Sequence, residues 1–356
     1  MAVTDALQAK SAPAAPKRLL LVSVPRTASN LLLKILNVHE QPKLSTNQKG
    51  GYFFYPAFLS ATQGGTLAKK PSEWTKEDRQ KFKGDFQRCL DELEDHSARA
   101  QKDNKAMFVK EHAFWFVNPA SCHRMRTGDV VDSFTDLRVR IPESYGPTQS
   151  YTHSNETVLS DEYLRSWQFA FIIRHPALAW PSMYRSLQKL AAEGFMDEDG
   201  VKGSSMSNMS LRWTRLLYDW CITQPDVPTP PPVVDAHDLI RNPEIVRKFC
   251  DQTGLDKEYL QFEWGGKDDH KKSDIWADEA GDEQRERHWR AACIMMSTLE
   301  TSKGIVKDKA PESLDIAVET AKWKVEFGEE IAGLIEQAVW DSMPDYEYLK
   351  ARRLTV

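Results

Sequence analysis

The stretch RLLLVSVPRTASNLLLKIL, residues 18–36, joins an apolar run to a helical pattern through a short polar turn. Residues 19–24 form an almost unbroken apolar run, which is typical of a β-strand covered on both faces. Directly after Pro25, apolar residues recur at helical spacing over 27–38. The stretch therefore predicts a strand, a turn and a helix, the unit from which parallel sheets are built.

The turn between this strand and helix has the chemistry of an anion site. The backbone N–H groups of residues 27–31 would point outward at the positive end of the helix dipole, which suits a phosphate or sulfate. The side chains of the turn add donors and one fixed charge: Arg26, Thr27, Ser29 and Asn30. An ordinary helix N-terminus beside a surface arginine explains the same residues. Because the GxxxxGK[ST] pattern of nucleotide hydrolases is absent, we expect chemistry without a metal.

Three further apolar runs predict strands, and helical patterns separate them. The runs cover residues 106–112, 169–173 and 231–236. The remaining helical patterns cover residues 74–99, 177–192, 207–222, 243–253 and 283–299. This alternation predicts an α/β fold of three layers, in which helices flank a central, mainly parallel β-sheet. Ligands of such sheets bind beyond the carboxyl ends of the strands.

Polar side chains stand at the ends of two of these strands. Lys110 and His112 are two residues apart in an extended segment, so both would face the same space. Arg174 follows the next strand, and Ser182 stands eight residues later. A histidine beside a lysine and an anion is a candidate general base, although a structural histidine and a simple arginine salt bridge are equally open. Pro181 predicts a kink or break in the helix after Arg174.

The bulk composition limits the function classes. A formal charge of −5 and a pI near 6.0 disfavour a general binder of nucleic acid or of anionic membranes. No run approaches the ~18 consecutive apolar residues of a membrane span. The cysteines lack CxxC spacing, which favours reduced thiols in a cytoplasmic protein over disulfides or a zinc site. We therefore expect no metal, no nucleic acid and no membrane partner.

The sequence predicts one main domain with two extensions. Residues 1–17 are expected to be a flexible tail, and residues 18–310 the α/β domain. Within it, residues 124–166 have weak periodicity and are interpreted as an elaborated loop or cap, with a plain surface excursion as the alternative. Residues 311–356 are expected to form a helical extension packed on the domain. One apolar stripe predicts its buried face: Leu314, Val318, Ala321, Val325, Leu334 and Ala338.

Taken in order, four short motifs resemble those of the cytosolic-type sulfotransferases, which use 3′-phosphoadenosine 5′-phosphosulfate (PAPS) as sulfuryl donor. Residues 25–31, PRTASNL, are similar to the loop that holds the 5′-phosphosulfate, and Lys110 to His112 to the family's K-x-H. Arg174 and Ser182 match its R-x7-S element for the 3′-phosphate. Residues 302–304, SKG, resemble a late R-K-G element without its arginine. The resemblance covers residues 18–306 and implies a P-loop-like fold of a divergent microbial or fungal branch.

Two departures from the family pattern lie in the first motif. Arg26 stands where animal members usually carry lysine, which keeps the charge. Ala28 replaces a glycine, and an alanine is accommodated there only if its backbone φ is negative.

The resemblance implies roles for the site residues. His112 would be the general base, and Arg26 and Lys110 would stabilise charge on the transferred and leaving groups. The residues implied for binding PAPS and its desulfated product PAP are Arg26, Thr27, Ala28, Ser29, Asn30, Leu31, Arg174, Ser182, Ser302, Lys303 and Gly304. The acceptor would be a hydroxyl or amine of a small, apolar or aromatic compound of secondary metabolism. The transferred sulfate could stay in the product or serve as a leaving group.

Two other functions are open from the sequence. A nucleotide-binding pseudo-enzyme of the same fold would explain Ala28 and the incomplete late motif, but it has no need of His112. A small-molecule kinase would require ATP and Mg²⁺. A homodimer is also open.

Overall fold

The computed structural model describes residues 18–128, 137–225, 229–265 and 282–356. The strands are Arg18–Ser23 (β1), Leu44–Ser45 (β2), Ala106–His112 (β3), Gln168–Ile173 (β4) and Val233–Asp235 (β5). The helices of the first half are Ser29–Leu36 (α1), Tyr55–Gln63 (α2), Lys76–Lys102 (α3), Pro119–Thr127 (α4), Asp161–Arg165 (α5) and Pro176–Ala192 (α6). Those of the second half are Glu198–Asn208 (α7), Arg212–Ile222 (α8), Ala236–Arg241 (α9), Glu244–Thr253 (α10), Asp282–Met295 (α11), Ser297–Thr301 (α12), Ile316–Phe327 (α13) and Glu329–Lys350 (α14). The predicted tail 1–17 and residues 129–136 of the predicted cap lie outside the described residues.

The sheet of the described residues is parallel throughout, in the order β2-β3-β1-β4-β5. This confirms the predicted parallel sheet, with β1 at its centre. In the register, Ser23 at the end of β1 lies opposite His112 at the end of β3. On the other side, Ile173 at the end of β4 lies opposite Asp235 at the end of β5. The carboxyl ends therefore meet at one edge, where the polar clusters of the sequence were expected.

The two faces of β1 build two hydrophobic cores. Leu20 and Val22 pack into one core together with α2, α3, α6, α8 and α14. Leu19 and Leu21 pack into the other, together with α1, α9 and α10. Alternate side chains of a strand point to opposite faces, so helices on both sides cover the sheet. The predicted three-layer α/β fold is thereby confirmed.

Helix α6 runs without a break through Pro181, so of the predicted kink or break, the break is wrong and the kink stays a prediction. A proline inside a helix removes one backbone hydrogen bond. The neighbouring side chains Trp180, Met183 and Leu187 are buried in the first core. Their packing holds the helix together across the missing bond.

The C-terminal segment forms two helices, and the predicted apolar stripe is wrong. The chain turns at Gly328, whose φ of 84° is a glycine conformation, so α13 and α14 do not share one helical phase. Val325 of that stripe is 91% exposed and Leu334 is 52% exposed. The buried face is a different set: Trp323, Ala332, Ile335, Val339 and Leu349. Helix α14 packs on α6 and α13.

Among the described helices, none is both long and apolar enough to cross a membrane. Within the same ranges, no group of three or more His, Cys, Asp or Glu side chains has the arrangement of a metal site.

Candidate active site

The loop between β1 and α1 has a left-handed backbone at two positions. Arg26 has a φ of 69° and Ala28 a φ of 64°. The buried Thr27 closes the turn, because its hydroxyl donates to the carbonyl of Val24 at 2.8 Å. Ala28 begins α1 without any side-chain hydrogen bond to the helix N-terminus. The first N–H groups of α1 are therefore left to bind something else, as an anion site requires.

From the sequence, an alanine at position 28 is expected to fit only with a negative φ, but the φ of Ala28 is positive. A left-handed alanine is strained by contact of Cβ with the backbone, whereas glycine is not. The residue that the family resemblance would place here is glycine, and the observed backbone is the one that glycine favours.

Replacing Ala28 with glycine should therefore raise the free energy of unfolding by about 1 kcal/mol, measured by urea denaturation. The matched control is Ala191→Gly in α6, where the helical backbone suits alanine and a loss of about 1 kcal/mol is expected. A loss of stability in Ala28→Gly would contradict the left-handed conformation.

Arg26 reaches from the loop to two other elements. Its Nε donates to the hydroxyl of Ser182 in α6 at 3.0 Å, and a terminal nitrogen donates to the carbonyl of Met295 at the end of α11. Burial lowers the pKa of Arg26. The loop and Ser182, which are distant in sequence, are thus in direct contact.

Arg174 lies against the same loop. One terminal nitrogen donates to the carbonyl of Arg26 at 3.1 Å and the other to the carbonyl of Lys309 at 2.9 Å, while its buried Nε has no partner among the described residues. Burial, then the charge of Arg26, lowers the pKa of Arg174 to about 10, and Asp235 opposes that shift. In the described ranges neither arginine forms an ion pair with a carboxylate. The two guanidinium groups therefore concentrate positive charge beside the loop.

Lys110 is a third basic residue at this edge of the sheet. Its side chain is fully buried, and its ammonium donates to the side-chain oxygen of Asn30 in α1. The ammonium also lies 4.1 Å from the centre of the Tyr52 ring. Burial lowers the pKa of Lys110 to about 7, against the opposite influence of Glu111. At neutral pH the lysine is poised between its charged and neutral forms.

Glu111, between Lys110 and His112, points to the other side of β3. Its carboxyl group accepts hydrogen bonds from the N–H groups of Phe53 at 2.5 Å and Phe54 at 2.9 Å. Burial raises its pKa to about 8. Glu111 thus fixes the start of α2 and does not neutralise the cations by direct contact.

The hydrogen bonds of His112 assign its tautomer. Its Nδ1 lies 2.9 Å from the hydroxyl of Ser23, which itself donates to the carbonyl of Glu111 at 3.3 Å. We assign the tautomer in which the Ser23 hydroxyl donates to Glu111, Nδ1 carries the ring proton and Nε2 is the accepting nitrogen. Burial, and then the charge of Lys110, holds the pKa of His112 well below its ordinary value. A neutral histidine with an unprotonated Nε2 can accept a proton.

Nε2 of His112 faces the hydroxyl of Tyr52 at 3.0 Å. Around them lies an aromatic cluster centred on Trp115, whose ring centre is 4.3 Å from that of His112 and 4.7 Å from that of Tyr52. Tyr55 and Phe58 also contact Trp115. The segments 51–58 and 112–116, in which the sequence suggested an acceptor pocket or buried core, therefore meet beside the candidate base.

The late motif, residues 302–304, lies in a different environment from Arg26 and Arg174. Glu263 and Gly304 form an antiparallel bridge, and the carbonyls of Ser302 and Lys303 accept from Trp264 at 2.9 and 3.1 Å. No hydrogen bond joins this segment to residues 25–31 within the described ranges. Its neighbours Leu299 and Ile305 do pack on the same core as Ala28 and Leu31. The segment lies near the start of α1, but its part in binding a ligand stays a prediction.

A cavity of about 340 Å³ opens beside Arg174. It is lined on the β5 side by Asp235 and His237 and on the C-terminal side by Lys309, Tyr346 and Lys350. His112 and Lys110 do not line it. We therefore place the candidate site at the ends of β1 and β3 on the basis of the hydrogen bonds there, and not in this cavity.

The chain resembles two curated fungal proteins over nearly its whole length. It is 34% identical to the sulfotransferase ppzF of Metarhizium majus, over 95% of this chain and 97% of that protein. It is 33% identical to the sulfotransferase ppzF of Metarhizium rileyi, over 96% of this chain and 97% of that protein. No protein-family model matches the chain. Among solved structures, the sulfotransferase domain of the Synechococcus PCC 7002 olefin synthase aligns with a TM-score of 0.35 and 14% identity, over 90% of this chain and 99% of that chain.

Proposed function

The chain belongs to the sulfotransferase family, and we propose that it moves a sulfuryl group from PAPS to a hydroxyl or amine of a small, apolar or aromatic metabolite. The observation that carries this proposal is a group of three basic side chains, the fully buried Lys110 and the half-buried Arg26 and Arg174. Burying a charge is costly unless it is paired. A ligand with several negative charges would supply the pairing that the described side chains do not.

Each part of the donor matches a part of this group. The free N–H groups at the start of α1 and the guanidinium of Arg26 suit the 5′-phosphosulfate. Arg174 and Ser182 suit the 3′-phosphate. Both lie beside the loop, since the Ser182 hydroxyl accepts from Arg26 and Arg174 donates to the carbonyl of Arg26. To bind the donor, Arg26 would exchange the carbonyl of Met295 for an anionic oxygen.

The transfer needs positioning and charge stabilisation rather than a covalent intermediate. The acceptor oxygen or nitrogen attacks sulfur in line while the bond from sulfur to the bridging oxygen breaks, and PAP leaves. The acceptor proton ends on Nε2 of His112, which is neutral and unprotonated. Lys110 and Arg26 stabilise the charge that develops on the leaving oxygen and the sulfuryl group.

The test is transfer of labelled sulfate from PAPS to a panel of phenols, alcohols and amines, with EDTA present. We expect labelled product and stoichiometric PAP. Transfer from ATP that requires Mg²⁺ would favour a kinase instead. Tight PAP binding without transfer to any acceptor, and without slow hydrolysis of PAPS, would favour the pseudo-enzyme to which the strained Ala28 points.

The low pKa of Lys110 makes PAP binding depend on pH. A bound anion stabilises the charged lysine and raises its pKa above the free value of about 7, so binding takes up a proton at higher pH. Between pH 7.5 and 9.5, where a phosphate monoester (second pKa about 6) is fully ionised, the Kd for PAP should rise with pH toward about tenfold per unit. A bound anion would also raise the pKa of Glu111, which is about 8 in the free protein. Glu111 would therefore add to the proton uptake and to the rise of the Kd with pH.

Titration calorimetry in buffers of different ionisation enthalpy would measure both the Kd and the proton uptake. Lys110→Met is the matched variant, in which the slope of log Kd against pH should become shallower. A Kd that is independent of pH between 7.5 and 9.5 in the unmodified protein would contradict the assignment.

A further inference from the structure

We propose that Tyr52 relays the acceptor proton to His112, so that the acceptor meets the tyrosine and not the histidine. This inference rests on the proposed sulfuryl transfer and adds a residue to it. It starts from the 3.0 Å contact between the Tyr52 hydroxyl and Nε2, the nitrogen that the transfer requires as proton acceptor.

The direction of that hydrogen bond follows from the tautomer of His112. Since Nδ1 donates to Ser23, Nε2 can only accept, and the Tyr52 hydroxyl must donate to it. Ser29, in the first turn of α1, opposes the rise in the pKa of Tyr52, so its side chain lies near the phenol oxygen. Tyr52 therefore lies beside both His112 and the proposed phosphosulfate loop.

The backbone before Tyr52 is fixed against β3. The carbonyl of Gly51 accepts from the N–H of Lys110 at 3.0 Å, and a Cβ on Gly51 would lie 2.9 Å from that nitrogen. With a φ of 88°, this position favours glycine. Asn47 holds the same turn, because its side chain accepts from the N–H of Gly51 at 2.9 Å and donates to the carbonyl of Tyr52 at 2.5 Å. The contact with His112 is therefore built into the local fold.

Exposure places Tyr52 on the acceptor side of the pair. His112 is only 5% exposed, whereas Tyr52 is half-buried. The Tyr52 ring lies between Trp115, at 4.7 Å, and the ammonium of Lys110, at 4.1 Å. Tyr52 is therefore the member of the pair with more of its surface open to solvent.

The relay balances as two coupled proton transfers. As the acceptor oxygen bonds to sulfur, its proton passes to the Tyr52 oxygen, and the tyrosine proton passes to Nε2. The tyrosine is neutral before and after the step, and the imidazole becomes cationic. Burial holds the pKa of Tyr52 well above its ordinary value, so it remains protonated and acts with His112 rather than instead of it. The cation of Lys110 over the ring favours any transient negative charge on the phenol.

The experiment compares single-turnover rates of Tyr52→Phe and the unmodified protein, with saturating PAPS and acceptor. The phenylalanine ring retains the packing against Trp115 and removes only the relaying hydroxyl. We expect the rate to fall by about 10²-fold while the Kd for PAP changes less than twofold, since the effect of a proton-transfer group lies in the chemical step. The control is Tyr348→Phe in α14, which removes a hydroxyl remote from the transfer and should keep the full rate.

A second measurement on the unmodified protein does not depend on how the variant folds. The single-turnover rate is recorded in mixtures of H₂O and D₂O. Two protons moving together should give a curved dependence on the deuterium fraction, and a straight line would overturn the relay. An unchanged or faster rate in Tyr52→Phe would also overturn it, and would leave His112 as the direct base. If the unmodified protein transfers no sulfate at all, the proposed function fails rather than the relay.

Discussion

Replacing His112 with glutamine should lower the rate of sulfuryl transfer by about 10²-fold or more, while the affinity for PAP stays nearly unchanged. His112 is the proposed proton acceptor, through Nε2, and has no hydrogen bond to Arg26 or Arg174 among the described residues. Glutamine fills a similar volume and can still bond to Ser23 and Tyr52, but its amide does not accept a proton near neutral pH. The loss should therefore appear in kcat and not in donor binding.

The measurement is kcat with a fixed acceptor, together with the Kd for PAP on the same preparations. His39→Gln is the matched control, because His39 is exposed on a short helix after α1. This substitution should change neither kcat nor the Kd for PAP. Full kcat in His112→Gln would remove His112 as the base. A large loss of PAP affinity together with kcat would instead assign the histidine to structure.

Replacing Arg26 with methionine should lower kcat/KM for PAPS by about 10² to 10³-fold. Methionine retains the length and apolar stem but removes the charge that would meet the phosphosulfate. Arg26 is half-buried without a carboxylate partner in the described ranges, so in the unliganded protein its desolvated charge is a cost. We therefore expect the unliganded variant to be no less stable to heat than the parent, although it loses most of its activity.

Two assays, donor kinetics and thermal unfolding with and without PAP, separate these effects. PAP should raise the Tm of the parent but raise that of Arg26→Met much less. Arg185→Met is the control, because Arg185 lies in α6 but forms an exposed ion pair with Glu326. Loss of activity that only tracks loss of stability in Arg26→Met would contradict a direct role in donor binding.

The sequence identified the strands that carry the candidate site. β1 contains an almost unbroken apolar run and β3 begins with a shorter one, and β3 has the bounds that its pattern predicted. β2 was missed, because two residues give no periodicity. The C-terminal stripe was misassigned because Gly328 ends one helical phase and begins another, which a single periodic pattern does not record.

The same limits apply to the candidate site. The sequence indicated Arg26, Arg174 and Ser182, and the structure brings them together because parallel strands end at one edge. Ser23 and Tyr52 were missed. Ser23 meets His112 through strand register, and Tyr52 meets it through the close approach of Gly51 to β3. Both contacts depend on which segments lie side by side, and only the tyrosine gave a weak signal, as part of an aromatic run.

The central claim is that the three basic residues Arg26, Lys110 and Arg174 bind a nucleotide that carries both a 3′- and a 5′-phosphate, without a metal. Titration calorimetry with PAP at pH 7 in the presence of EDTA tests it most directly, with 5′-AMP as the ligand that lacks only the 3′-phosphate. We expect one molecule of PAP to bind per chain, with AMP at least about tenfold weaker, and Arg174→Met to bring the two ligands close to equal affinity. Equal affinity for PAP and AMP in the unmodified protein, or binding that appears only when Mg²⁺ is added, would contradict the claim.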